Sequence, residues 1–299
     1  MRVSIAAPAS IANLGPGFDI LALAVQLQNE VRCAARDDAS LHIDPGDDAS
    51  GPLRDTSRNL VTRAYTHACN AIGVTPPGAD FTCVNRIPFA RGLGSSAAAA
   101  LSGVLCAVAL TRAPWDEHQV ISCAAELEGH RDNVAAAMLG GLAICAPGAP
   151  AVQMQVPDEL RAIVVVPAAR VRTEEARRAV PLTFSREDAV FNAARCALLV
   201  RALAARDWLS LGDAMDDRWH QPARTTLMPW LPRIVTAARD AGAAGAALAG
   251  AGPSVVALAV RDHANVSTAM QQAAADAGIE AEVVTLSPRN FGTRVDVRP

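Results

Sequence analysis

The segment richest in chemistry is Pro88-Phe89-Ala90-Arg91-Gly92-Leu93-Gly94-Ser95-Ser96-Ala97-Ala98, a glycine and serine turn that opens straight into an alanine-rich run. Glycine lets the main chain approach a ligand closely, and the first turn of a helix offers unpaired N–H groups and a positive dipole end. Both features suit the oxygens of a phosphate. Side-chain ammonium groups cannot share that work, because all 27 basic residues are arginine and the chain has no lysine. This excludes a P-loop, a protein kinase and a pyridoxal enzyme, each of which depends on a particular lysine. The backbone amides of the loop must then carry most of any phosphate binding.

The same residues raise two other readings. Gly92-Leu93-Gly94-Ser95-Ser96-Ala97 fits the dinucleotide pattern G-x-G-x-x-A, the mark of a dehydrogenase. A dinucleotide turn follows its strand at once, and an acid ends a second strand about 20 residues later. Here Pro88 to Arg91 intervene after a strand expected to end near Arg86, and position 112 is an arginine just past a helix. The plainer alternative is a glycine-rich helix start capped by serine.

The elements that must hold this loop follow from periodicity and breakers. Strands are expected over 2–7, 30–35 and 80–86, and helices over 59–72 and 95–110. The second of these helices is almost wholly apolar yet too short to span a membrane, so it should be buried. Asp116 suits the cap of a further helix running to about Glu128. Pro147 to Pro157 holds three prolines and a glycine, which places a boundary there, with domains over 1–155 and 156–299. Beyond it come a strand over 161–166, helices over 187–205 and 232–241, strands over 245–249 and 255–260, a helix over 263–277 and a strand over 280–286. That order describes a second α+β unit.

Composition narrows the function classes further. With 299 residues, 51% of them hydrophobic, the chain can bury one large core or two ordinary ones. A net charge of -3 with scattered arginines offers no basic field, so nucleic acid is not an expected partner. No stretch has the length and apolarity of a membrane helix, and residues 1–9 lack a signal-peptide layout, so a cytoplasmic location is expected. The seven cysteines are far apart, with no C-x-x-C pair, which argues against zinc and disulfides.

Three segments resemble, in order and at fitting separations, the motifs of the GHMP kinase family. They are Pro8-Ala9-Ser10-Ile11-Ala12-Asn13-Leu14-Gly15-Pro16-Gly17-Phe18-Asp19, the Pro88 to Ala98 loop, and Gly250-Ala251-Gly252-Pro253-Ser254. Asn13 to Asp19 resembles the homoserine kinases of that family in particular. His130-Arg131-Asp132-Asn133-Val134, Thr173-Glu174-Glu175-Ala176-Arg177 and His220-Gln221-Pro222-Ala223-Arg224 are similar to further segments of theirs, so the resemblance covers nearly the whole chain. It implies an α+β, two-domain GHMP kinase fold, with an N-terminal ribosomal-protein-S5-like α/β domain and a C-terminal ferredoxin-like α+β domain. It also implies ATP and Mg2+ in the cleft, L-homoserine as the small-molecule substrate, and a product on the route to threonine. A sister kinase acting on another alcohol, or a non-catalytic relative, would share much of this pattern, and the sequence leaves a homodimer open.

The resemblance also implies roles. Pro88 to Ala98, Gly250 and Gly252 would hold the nucleotide, and Ser96 and Glu128 would hold the metal. Glu126 is the competing acid, but two residues apart on a helix the pair point roughly 200° apart, so only one can face the site. Arg177 and Arg224 would take the substrate carboxylate, Asp19 its ammonium, and Asn13 its hydroxyl or the transferring phosphate. His130, Asn133 and Thr173 would line the same pocket. Read alone, Glu128 is a solvated helix end, His130 a structural histidine and Thr173 a helix cap. Asn133 lies seven residues before Gly140-Gly141, where mevalonate-type kinases present an aspartate thought to act as base. An amide cannot accept the hydroxyl proton, so in-line attack without a protein base is expected, with Asp132 the fallback.

Overall fold

A computed structural model describes residues 1–46 and 51–299. Its first half contains β1 (Arg2–Asn13), β2 (Gly17–Ala35), β3 (Leu41–Asp44), α1 (Leu60–Ile72), β4 (Ala79–Val84), α2 (Ser95–Thr111), α3 (Glu117–Glu128), α4 (Asp132–Leu139), β5 (Leu142–Ile144) and β6 (Val152–Met154). The second half contains β7 (Arg161–Pro167), α5 (Thr173–Arg178), α6 (Arg186–Ala205), α7 (Trp208–Ala214), α8 (His220–Arg224), α9 (Leu231–Asp240), β8 (Gly245–Leu248), β9 (Val255–Ala259), α10 (His263–Asp276), β10 (Ala281–Leu286) and β11 (Arg294–Arg298).

The strands form two sheets. One runs β11-β1-β2-β4-β3, with β5 paired to β2 and β6 to β5; the other is the antiparallel four-strander β10-β7-β9-β8. The second order, with α10 between β9 and β10, is that of a ferredoxin-like unit. Helices α1 to α4 cover one face of the first sheet around a core that includes Val3, Ile5, Tyr65, Phe81 and Leu101. The opposite face of β1 and β2 packs toward β7 and α6 through Ala9, Ile11, Leu23, Val164 and Leu199.

That double burial explains why β1 is longer than expected. Residues 7–13 are buried on both sides of the strand, so the alternation that marks a half-exposed strand vanishes beyond Ala7. The turn to β2 is tight, with Leu14 and Gly15 at φ 48° and 90°, and a Cβ on Gly15 would stand 2.1 Å from the Met215 carbonyl oxygen. Only glycine fits there. Of the segment 147–157, residues 152–154 form β6 on the first sheet. The last strand, β11, returns to pair with β1; its five residues are all exposed, which hides the periodicity by which a strand is read.

Candidate active site

The glycine loop lies where the two sheets approach each other, at the N-terminus of α2. Gly92 and Gly94 adopt φ 77° and 71°; Cβ atoms there would stand 2.2 Å from the Ala249 carbonyl oxygen and 2.2 Å from Ser10 Oγ. The loop is therefore pressed between the first and third motifs. Ser10 N–H donates to the Leu93 carbonyl at 3.2 Å, and Gly250 N–H donates to the Ala12 carbonyl at 3.0 Å. Gly94 is the N-cap of α2 and no side chain bonds to it. The serine-capped start is thus not what forms, and the first amides of a buried helix stay free for anionic oxygens. The third motif packs against the first, and its Gly252–Pro253 peptide is cis.

Beside the loop, Ser96 Oγ donates to Glu128 Oε2 at 2.7 Å. Glu126 instead turns outward to His67, at 2.8 Å. Helical phase therefore turns Glu128 toward the loop serine and Glu126 toward His67 of α1. Burial raises the Glu128 pKa, against the hydrogen bond from Ser96, which lowers it. A hydroxyl and a desolvated carboxylate fit Mg2+, which takes hard oxygen ligands and completes its shell with phosphate oxygens and water. Among the described residues no group of three or more His, Cys, Asp or Glu side chains that could hold a metal ion occurs.

The opposite wall carries charge complementary to an amino acid. Arg177 grips Asp19 with two hydrogen bonds of 2.6 and 2.9 Å, although the residues are 158 apart in sequence. Both expected substrate ligands are thus engaged with each other. Arg224 is 1% exposed. Its Nε donates to the Ala176 carbonyl at 3.0 Å, and its Nη1 donates to the Gly250 carbonyl at 3.0 Å and to His220 Nδ1 at 3.1 Å. Burial and the nearby Arg177 push its pKa down to about 10, which leaves it charged at neutral pH. The ring of Phe18 lies beneath both guanidinium groups, 5.5 Å from Arg177 and 5.3 Å from Arg224.

The remaining expected residues are arranged less uniformly. The Asn13 amide is engaged at both ends by backbone: Nδ2 donates to the Gly250 carbonyl at 2.9 Å, and Oδ1 accepts from Asp19 N–H at 3.3 Å. His130 Nδ1 lies 2.7 Å from Asp132 Oδ1, which also accepts from Asn133 N–H at 2.8 Å. Burial works against the charged imidazole, but Asp132 and Glu128 prevail and raise the His130 pKa. Ser10 Oγ donates to Asn133 Oδ1 at 2.8 Å, so the Asn133 NH2 is turned to the cleft. Thr173 is not a cap: Arg172 holds that place without a side-chain bond, and Thr173 is the exposed first residue of α5.

One cavity of about 310 Å3 joins these groups, with Asn13, Asp19, His130, Asn133, Thr173, Arg177 and Arg224 along one stretch and residues 88–96 along the middle. Its far end is formed by Pro45, Leu53, Asn59, Leu60, Cys83 and Asn85, none of which carries a motif. Burial pushes the Cys83 thiol up to about 12, so it lines this end as an inert apolar group.

Comparison with known proteins agrees with this geometry. The model of the GHMP kinases N terminal domain matches residues 59–141, and that of the GHMP kinases C terminal matches residues 199–279. The homoserine kinase of Microchaete diplosiphon is 39% identical over 295 residues, 97% of this chain and 96% of its own. That of Streptomyces coelicolor is 39% identical over 295 residues, 96% of this chain and 94% of its own. The crystal structure of homoserine kinase from Cytophaga hutchinsonii superposes with a TM-score of 0.88 at 29% identity, over 99% of this chain and 97% of that one. The L. major mevalonate kinase, at 17% identity and a TM-score of 0.70, shares the fold over 96% of both chains. The chain therefore belongs to the GHMP kinase family and, within it, to the homoserine kinases.

Proposed function

We propose that the chain transfers the γ-phosphoryl group of ATP to the side-chain hydroxyl of L-homoserine, forming O-phospho-L-homoserine, with Mg2+ as the metal. The observation that carries this reading is a shared cavity: free amides at the α2 N-terminus face the same 310 Å3 space as Asp19, Arg177 and Arg224. A phosphate cradle and a set of charges complementary to an α-amino acid occur side by side. The base of the nucleotide would lie at the end formed by Pro45, Leu53 and Cys83.

In this reading the loop amides and the helix dipole hold the phosphates in place of a lysine. Ser96 and Glu128 are the residues that would hold Mg2+, which would supply charge neutralisation to the nucleotide phosphates. Arg224 takes the substrate carboxylate and Asp19 the ammonium, while Arg177, already on Asp19, has reach to the carboxylate beside it. The homoserine oxygen attacks γ-phosphorus as the bond to the β-phosphate bridging oxygen breaks. Its proton would leave on the phosphoryl oxygens or to water: Asn133 is an amide, and the Asp132 carboxylate is buried and held through Oδ1 by His130 and Asn133 N–H. The Asn133 NH2 would donate to the transferring group, which stabilises charge without removing a proton.

A coupled assay for ADP release, run with L-homoserine and with a panel of other small alcohols, tests the reading directly. Release should depend on homoserine and should exceed that with each other alcohol. ADP release with another alcohol but not homoserine would transfer the chain to a sister activity.

A further inference from the structure

His220, the first residue of α8, is fully buried and forms no part of the cavity wall. Its ring nevertheless joins two parts of the site. Nε2 lies 2.6 Å from the Gly15 carbonyl, which can only accept, so that nitrogen carries a proton. Nδ1 lies 3.1 Å from Arg224 Nη1, which can only donate, so that nitrogen carries none. One form of the ring, neutral and protonated on Nε2, satisfies both partners. Adding a proton to Nδ1 would set N–H against N–H.

We infer that His220 is a positioning residue for substrate recognition, which aims the Arg224 guanidinium through Nδ1 and clamps the Gly15 turn through Nε2–H. With Nε and Nη1 of Arg224 already bonded to Ala176, Gly250 and His220, Nη2 is the arm without a protein partner among the described residues. Its direction follows from the plane those bonds impose. The Gly15 clamp acts on the same site from the other side, since the turn it holds leads within a few residues to Phe18, under both arginines, and to Asp19. The charged groups around the ring are Arg224, Asp217 at 3.5 Å from Nε2, and Asp19. Burial dominates over the acids and pushes the His220 pKa down to about 4, which keeps the required neutral form through the physiological range.

The inference rests on the homoserine reading for its kinetic test but not for its spectroscopic one. In His220→Asn the Oδ1 atom takes the place of Nδ1 and can accept from Arg224. In His220→Gln the side-chain NH2 takes the place of Nε2–H and can donate to Gly15. His220→Gln should raise the homoserine KM about tenfold or more, His220→Asn several-fold less, and both should leave the ATP KM within about twofold. Equal homoserine KM values in the two variants, or a parallel rise in the ATP KM, would overturn the assignment. Thermal melts establish that the variants fold. If either fails to fold, nitrogen NMR of the wild-type imidazole decides: Nδ1 should stay unprotonated and the ring should not titrate between pH 8 and 5. A ring that titrates near 6.5 refutes the inference. If the wild-type chain releases no homoserine-dependent ADP, the functional reading fails while the NMR result still judges His220.

Discussion

At Glu128 the demands of binding and of stability oppose each other. In the proposed role its carboxylate would have to be charged to hold a cation, yet it sits where burial favours the neutral acid, and its pKa in the folded chain is raised. A carboxyl raised above its unfolded value contributes stability that is full below about pH 4.5 and is lost as pH rises through the folded pKa. At neutral pH without Mg2+ the charged residue is therefore a local source of instability. Glu128→Gln should melt at a higher temperature than the wild type at pH 7.5 in chelator, and the difference should vanish toward pH 4. The same variant should lose at least about tenfold in turnover, about 1.4 kcal/mol in the barrier. A lower melting temperature for the variant at pH 7.5 would mean that the Ser96 hydrogen bond outweighs burial.

Among the elements, α2 explains how the loop is held still. The helix is capped at its start by Gly94 rather than by a side chain, and its middle is buried against α1. At Gly103 the two helices approach so closely that a Cβ would stand 2.2 Å from the Val61 carbonyl oxygen and 2.8 Å from the Ala64 Cβ. Helix propensity alone says that Gly103→Ala stabilises by about 1 kcal/mol. The geometry reverses that sign, because the methyl group meets the backbone of a neighbouring helix and not a movable side chain. Gly103→Ala should destabilise the chain by about 1–3 kcal/mol in chemical denaturation. Since Asn59, Leu60 and Val61 also border the far end of the cavity, pushing α1 away should raise the ATP KM more than the homoserine KM. A stabilised variant would show that α1 yields freely.

Across the whole molecule, the site belongs to the junction and to neither half. We propose the division into 1–155, which carries the phosphate loop, and 156–299, which carries Arg177 and Arg224, with one strand crossing back. That strand, β11, pairs with residues 2–6 of β1, at the end of the strand remote from Asn13. It should therefore matter for stability and little for catalysis. A chain ending at Phe291 should melt about 4 °C or more below the full chain, the shift expected for one to two kcal/mol at this size. At 20 °C its KM values should stay within about twofold of the full chain's. An unchanged melting temperature would remove β11 from the cooperative unit, and a large rise in either KM would tie it to the cleft.

What residue type and spacing settled on their own was the chemistry of contiguous segments. The lysine-free composition, the glycine loop opening into an apolar run, and three motifs in a fitting order all lie within short windows, where backbone conformation and residue identity are local properties. Helices expected over 59–72, 95–110 and up to about Glu128 were legible for the same reason, with Asp116 as the cap of the third, whereas Asn59, read as helical, is the cap of α1. Tertiary structure decided which side chains meet. Arg177 reaches Asp19 across 158 residues and Ser10 reaches Asn133 across 123, pairings that no periodicity encodes. It also decided that Glu128 and not Glu126 faces Ser96, because helical spacing separates two directions without saying which neighbour stands in each. The long reach of β1 stayed hidden because two cores bury both its faces, and β11 because neither of its faces is buried. Alternation reports a strand only where one face meets a core and the other meets water.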